Sequence, residues 1–301
     1  MDKRIAAKYK TQISEIKEVI TSDPESVKIM ADIIFPDISG CYDAKMGLMC
    51  MLANSTDNSL KRKRLHVLLH GVPGTGKSEL SNVITSDFGG LKLTCDPKSS
   101  ALKGDGRRGD GGVKLLHLYS GRPVVIHDIE LTKDIDALRD VMEDGMYTLT
   151  SGGEHHEYEA RCSVVGSSND VHKISDAILS RFDLVYKFEI PTPAQSMDIV
   201  YDILNGGEQK CVDLQFKRLY INMVQEHEPE YAYREEASEL YKEFFKKHGG
   251  KTGRYIQGID RIAKALAKLK FSHITPETVE LAMKMKLESE KVVTEATKGV
   301  K

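Results

Sequence analysis

Residues 65–80 read Leu-His-Val-Leu-Leu-His-Gly-Val-Pro-Gly-Thr-Gly-Lys-Ser-Glu-Leu. An apolar run (Leu65, Val67, Leu68, Leu69) meets Gly71-Val72-Pro73-Gly74-Thr75-Gly76-Lys77-Ser78, and a helix-like stretch follows. This is the pattern G-x-x-x-x-G-K-[ST], the phosphate-binding P-loop, with a strand before it and a helix after it. The glycines let backbone N–H groups close around a phosphate with no Cβ in the way. A helix beginning near Lys77 points the positive end of its dipole at the same anion. Lys77 then reaches the β- and γ-phosphates, and Ser78 offers a hydroxyl to Mg²⁺. A glycine-rich turn that merely caps a helix is the competing interpretation, and the strand–loop–helix setting disfavours it.

The rest of the chain is compatible with such a fold. Its 301 residues make one large domain or two small ones. A hydrophobic fraction of 40% and a charged fraction of 29% are ordinary for a water-soluble globular chain. No apolar run approaches the length needed to span a bilayer, and the first residues lack the apolar stretch of a secretory signal. The 5 cysteines contain no C-x-x-C pair, so neither a zinc site nor a disulfide framework is expected. These features point to a reduced, intracellular protein without membrane contact. A net charge of −2 carries no global nucleic-acid signature, so any DNA contact must be local.

In chain order, residues 1–20 are expected to be helical, with a break at Thr21-Ser22-Asp23-Pro24. Two more helices fall in 25–56, around a turn at Ser39-Gly40. Lys61-Arg62-Lys63-Arg64 reads as a solvated loop before a buried strand rather than a DNA-binding patch. After the P-loop come a helix over 77–86 and a strand at Leu91–Cys95. Residues 103–112 are polar and glycine-rich between two pairable segments, Ser100–Leu102 and Val113–Tyr119, which predicts a protruding hairpin. Its cations, Lys103, Arg107, Arg108 and Lys114, form a local basic tip. A strand at 123–128, a helix at 134–144 and a second hairpin between Met146 and Arg161 follow. Further strands are expected from Cys162 and over Leu184–Phe188. Alternating strands and helices imply an α/β fold, a parallel sheet with helices on both faces. From about 194 onward every segment reads as helical, and the basic tail 291–301 reads as frayed. The resulting domain scheme is an N-terminal helix over 1–23, an α/β domain over 24–206 and a helical lid over 207–301.

A P-loop ATPase needs an acid at the end of a neighbouring strand for Mg²⁺ and a group to activate the attacking water. The usual form is an apolar run ending Asp-Glu; here the run is Val124-Val125-Ile126-His127-Asp128-Ile129-Glu130. Imidazole is a poor Mg²⁺ ligand, because Mg²⁺ prefers oxygen. Two arrangements restore function. Asp128 binds Mg²⁺ while Glu130 serves as base, the two sharing a strand face; or Asp128 alone is the base and Ser78 and water hold the ion. The alternative is a site that binds ATP without hydrolysing it. Asn169, at the end of the next strand, is placed to hydrogen-bond the γ-phosphate or the water, unless it only forms a turn. Arg181 is suited to the γ-phosphate of a neighbouring subunit, or else to a surface salt bridge with Asp183. Arg254 opens a long lid helix and could close over the phosphates, with Arg261 its structural competitor.

These residues carry a family resemblance. From about Pro24 to Leu287 the chain resembles the AAA+ ATPase domain of the minichromosome maintenance (MCM) replicative helicases. The match rests on Val141-Met142-Glu143 followed by a hairpin, Ala160–Val165, Ser168-Asn169, Ile178–Leu184, and the lid stretches Tyr233–Leu240, Thr252–Arg254 and Ile259–Arg261. Gly76 stands where that family usually has Ala. MoxR-type ATPases share the inserted hairpins but match the later stretches less well. The resemblance implies a ring of identical subunits, usually six, with ATP and Mg²⁺ between subunits. Lys77, Ser78, Asp128 and Asn169 would come from one subunit, Arg181 from the next as an arginine finger, and Arg254 as a second residue acting in trans. Both hairpins would point into a channel and track DNA through cations such as Lys103, Arg107, Arg108 and Lys114. The second hairpin has about Ser151 where the family usually carries a channel-facing Lys. The implied activity is an ATP-driven DNA helicase or translocase, with other replication proteins as partners. The alternatives are an ATP-binding subunit with weak or no hydrolysis that works through a partner, and protein remodelling of the MoxR kind.

Overall fold

A computed structural model describes residues 11, 14–15, 17–21, 25–36, 38, 40–54, 64–93, 98–104, 114–132, 138–151, 154–204 and 213–298. The chain divides into two compact units, one of residues 1–53 with 191–287 and one of 54–190 with 288–301. These boundaries differ from the expected ones at 24 and 207: the early helices group with the late ones.

The unit that holds the P-loop is built on a five-stranded parallel sheet in the order β2-β3-β6-β1-β7. Its strands are β1 (Val67–Gly71), β2 (Leu91–Leu93), β3 (Pro123–Ile126), β6 (Ser163–Ser168) and β7 (Leu184–Phe188). Val67, Leu68, Leu69, Val124, Val125, Ile126, Val164 and Val165 are completely buried. Unbroken apolar runs are what a parallel sheet covered on both faces requires. β4 (Met146–Ser151) and β5 (Glu154–Glu159) form the separate antiparallel hairpin that the sequence predicts.

Three expectations need correction in this unit. The segments flanking 105–113 are not paired strands but short helices, α4 (Ser99–Lys103) and α5 (Leu115–Leu118). Leu102 and Leu116 are buried in the core, so their apolar positions serve helix packing and not a ladder. Residues 105–113, Arg107 and Arg108 among them, lie outside the described residues. Arg64 is not solvated: it is buried, and its guanidinium lies against Gly145, where an added Cβ would meet Nη2 at 2.0 Å. The tail is not frayed up to Lys298. Helix α12 (Pro276–Lys298) packs Val292, Val293 and Ala296 against the core, and the Val185 N–H donates to Ser289 Oγ at 2.7 Å. Since β7 is an edge strand, that bond helps cover its open side.

The other unit is helical. It contains α1 (Ser26–Ile34), α2 (Tyr42–Asn54), α8 (Pro193–Leu204), α9 (Leu214–Glu226), α10 (Arg234–His248), α11 (Gly253–Leu269) and the first part of α12. Leu48, Met49, Met51, Tyr220, Val224, Ile259, Ile262 and Leu266 supply its core. Two buried cations anchor it: Lys217 donates to the Ile34 carbonyl, and Lys268 to the Gln225 carbonyl and Glu228. Among the described residues no helix is long and apolar enough to cross a membrane.

Candidate nucleotide site

The P-loop leaves β1 at Gly71, whose φ of +137° only glycine adopts readily. A Cβ here would lie 2.0 Å from the Phe188 carbonyl oxygen, so glycine allows β7 to pack against the loop's first residue. The Val72 N–H then donates to that oxygen at 3.1 Å. Gly74 and Gly76 also take positive φ, +76° and +91°, and Gly76 opens α3 (Lys77–Ser86). Val72, Pro73 and Gly74 are exposed, Thr75 Oγ1 donates to the Val72 carbonyl at 2.7 Å, and Ser78 is exposed on the first helical turn. Lys77 is buried, and its ammonium donates to the carbonyls of Gly71 and Val72, both at 2.7 Å. Burial pulls its pKa down, opposed by Asp128, then Glu130 and Glu79. A cation folded onto its own loop beside a helix N-terminus is arranged to receive an anion.

The acids arrive differently from the sequence expectation. β3 stops at Ile126, so 128 and 130 share no strand face. Asp128 is left-handed (φ 47°, ψ 51°) and turns the chain into a 3₁₀ turn at Ile129–Leu131. Asp tolerates this conformation better than most residues. The two carboxylates meet again through Asn169, whose Nδ2 donates to Asp128 Oδ1 at 3.1 Å and whose backbone N–H donates to Glu130 Oε1 at 2.9 Å. Lys77, Asp128, Glu130 and Asn169 therefore gather at the carboxyl ends of β1, β3 and β6. Parallel sheets bind ligands at that edge.

Two histidines stand on the same edge. His127 Nδ1 lies 3.3 Å from Ser167 Oγ, while its Nε2 is buried without a hydrogen-bond partner among the described residues. Burial, then Lys92, lowers its pKa. Sequence reasoning did not single out His70, the residue before Gly71, which pairs in register with Ser168 and Lys187. Its Nδ1 and Glu130 Oε2 are likewise buried without partners among the described residues. Burial, then Lys77 and Lys187, lowers the His70 pKa against Asp170 and Glu130. The available signal was its place as the last polar residue of a buried strand.

Ser78 and Asp128 are oxygen donors of the kind Mg²⁺ takes. No group of three His, Cys, Asp or Glu that could hold a metal occurs among the described residues. An ion here would therefore need phosphate oxygens to complete its shell.

Arg181 lies at the other edge of the sheet. It precedes β7, whose Leu184 pairs with Val67 at the start of β1, whereas the P-loop leaves the end of β1. At ~3.3 Å per residue the strand separates the two edges by roughly 13 Å. Arg181 Nε donates to the Arg139 carbonyl at 3.2 Å, Nη1 to the Ala177 carbonyl, and Nη2 to the Glu143 carboxylate. Its partner is thus Glu143 on α6 (Arg139–Asp144) and not Asp183. Asp183 is buried and accepts the His66 N–H at 3.1 Å. His66 Nδ1 in turn accepts the Val164 N–H at 3.0 Å, which leaves Nε2–H to donate to the Met142 carbonyl at 3.0 Å and ties α6 to the start of β1. Sequence reasoning did not mark Glu143 as a site residue.

Arg254 belongs to the helical unit. It is the second residue of α11, capped by Thr252 Oγ1, which accepts the Tyr255 N–H at 3.3 Å. Arg261 on the same helix is buried, in keeping with a structural part.

The described cations of the first insert serve packing. Lys103 ends α4, pairs with Asp140 at 3.5 Å and lies 5.7 Å from the Tyr147 ring centroid. Lys114 lies 4.9 Å from the Tyr158 ring centroid. Tyr147 and Tyr158 stack across the second hairpin at 5.6 Å. That hairpin's sequence carries Glu154, Glu157 and Glu159 and no Lys or Arg. His155 and His156 stand near its tip, His155 Nδ1 2.9 Å from Thr150 Oγ1.

The sequence is similar to known proteins. The MCM P-loop domain profile matches residues 12–102, and the profile of the ATPase family associated with various cellular activities (AAA) matches residues 67–190. The DNA replication licensing factor Mcm3 of Drosophila melanogaster is 29% identical over 53% of this chain and 23% of its own length. The Gallus gallus counterpart is 30% identical over 52% of this chain and 23% of its own length. For that of Entamoeba histolytica the values are 29%, 57% and 33%. The chain spans about a quarter of the length of the first two relatives.

Proposed function

Because the chain carries an AAA+ ATPase domain of the MCM family, we propose that it is an ATP-driven motor on DNA, working as a ring with ATP between neighbouring copies. The observation that carries this reading is the division of the chemistry between two edges of one sheet. The P-loop, Asp128, Glu130 and Asn169 share the carboxyl edge, and Arg181 stands at the amino edge. An arginine roughly 13 Å or more along the strand direction from its own phosphate loop serves a neighbour's nucleotide better than its own.

In this reading Lys77 leaves the carbonyls of Gly71 and Val72 for the β- and γ-phosphates. Ser78 and Asp128 would hold Mg²⁺, which neutralises phosphate charge when bound. Glu130 takes the proton of the attacking water. Asn169 fixes the spacing of the two carboxylates by bonding both. Arg181 from the next copy stabilises charge on the transferred phosphoryl group, and Arg254 acts across the same interface. DNA contact falls to Arg107 and Arg108, with Lys103 and Lys114 flanking them in the sequence. The proposed setting is intracellular, and nuclear in a eukaryote, with other replication proteins as partners.

Steady-state ATP hydrolysis with and without single-stranded DNA tests this reading. Turnover stimulated by DNA and abolished by both Lys77→Ala and Arg181→Ala is expected. Absence of stimulation and of retention on single-stranded DNA at low salt would reject the motor. His127 favours a second reading, an ATP-binding subunit with weak hydrolysis that acts through an active partner. Robust turnover by the purified chain would dismiss that one.

A further inference from the structure

The residue just after β3, where the ion-binding acid is expected, is His127. Its ring is held in a particular way. Nδ1 lies 3.3 Å from Ser167 Oγ, close enough to orient the imidazole, while Nε2 is buried with no hydrogen-bond partner among the described residues. A buried polar atom left unsatisfied calls for an explanation, and an empty ligand position is one. An imidazole that engages a neighbour through one nitrogen and presents the other is the arrangement of a metal-ligating histidine. His127 adjoins Asp128, and Glu79, next to Ser78 on the first turn of α3, acts on it electrostatically.

We propose that His127 Nε2 contributes a nitrogen ligand to the divalent ion that accompanies the nucleotide, so that this site prefers an imidazole-tolerant cation such as Mn²⁺ or Co²⁺ over Mg²⁺. Mg²⁺ takes oxygen ligands in strict octahedral geometry, whereas first-row transition ions accept imidazole. With Ser78 Oγ, the Asp128 carboxylate and phosphate oxygens, the shell becomes one nitrogen among oxygens. The proposal rests on the nucleotide reading above, and the following experiment separates their failures.

The protein is titrated with ADP in Mg²⁺ and in Mn²⁺, and the Mn²⁺·ADP complex is examined by electron spin-echo envelope modulation. The expected result is at least a tenfold tighter ADP complex in Mn²⁺ than in Mg²⁺, with a ¹⁴N modulation from a directly bound imidazole. [¹⁵N]Histidine labelling is expected to replace that pattern with the ¹⁵N one without any substitution. In His127→Asp the nitrogen signal disappears and the tenfold preference collapses, with His127→Gln as a second variant should the first not fold. ADP binding without nitrogen coupling overturns the proposal and leaves the nucleotide site standing. Coupling that persists in a folded His127→Asp protein assigns the nitrogen elsewhere and overturns it too. No ADP binding with either ion removes both the proposal and the nucleotide reading.

Discussion

Substituting Gly71 by alanine tests whether the P-loop is held by its strand or by its own turn. The new Cβ would lie 2.0 Å from the Phe188 oxygen and 2.8 and 2.9 Å from the Phe188 carbon and nitrogen. All three are backbone atoms of a sheet strand, so no rotamer change relieves the clash. Reaching even a 3.0 Å separation moves one strand by about 1 Å, a displacement that well-packed interiors resist. The movement breaks the hydrogen bond from Val72 to Phe188, worth ~1 kcal/mol, and alanine at this φ adds strain of about 1–3 kcal/mol. A loss of ~2–4 kcal/mol at roughly 2–4 °C each corresponds to a fall in Tm of about 5–15 °C. Gly74→Ala is the control: φ is also positive, but a Cβ there meets nothing within 4 Å. Its cost is limited to conformational strain of ~1–2 kcal/mol. Thermal melts of both variants, followed by fluorescence titration with an ADP analogue, read the difference. Gly71→Ala is expected to melt lower and to lose nucleotide, since the displaced residue also carries the carbonyl that holds Lys77. Equal Tm values for the two variants would refute the claim that β7 sets the loop's position.

Three further outcomes follow from particular contacts. Ser289→Ala removes the buried acceptor of the Val185 N–H, and unfolding of the α/β unit should lose ~1–3 kcal/mol, measured by urea titration. Glu143→Ala frees Arg181 from its carboxylate partner and should lower kcat about tenfold while leaving the ADP Kd unchanged; Glu143→Gln, which keeps an acceptor, should lose less. His70 has a folded pKa below its unfolded value of 6.5 because of burial and the nearby Lys77 and Lys187. Its contribution to stability is therefore complete above pH 6.5 and is lost as pH falls through the folded value. The Tm should decline from pH 7 to pH 5, and the decline should be shallower in His70→Gln.

Much of the α/β unit can be read from residues because its signals are local. The run at Val67–Gly71, the glycines after it and the helix Lys77–Ser86 are each fixed by chemistry within a few positions, as is Leu184–Phe188. Features that depend on distant partners were not legible. Ser100–Leu102 and Leu115–Leu118 are too short for apolar periodicity to separate strand from helix, and their burial against the core decides for helix. The turn at Asp128 follows from one left-handed residue that no periodicity announces. Arg181 finds Glu143 rather than Asp183 because Asp183 is already committed to the His66 N–H, far away in sequence. Val292, Val293 and Ala296 look unremarkable in a charged tail until the core they cover is known. The site residues were chosen by type and spacing, and the bonds of Asn169 to Asp128 and Glu130 could only be seen in the fold.

The central claim is that each nucleotide site is shared, with the P-loop from one copy and Arg181 from the next. Mixing two inactive variants tests it most directly. Lys77→Ala copies keep Arg181 but lose their own site, and Arg181→Ala copies keep the P-loop but lose the finger. A one-to-one mixture forms interfaces that pair an intact P-loop with an intact Arg181, and ATP hydrolysis should return to about a quarter of the wild-type rate if copies assort at random and active interfaces work independently. Hydrolysis no higher than that of the separate variants, in a mixture shown to co-assemble, would contradict the shared site.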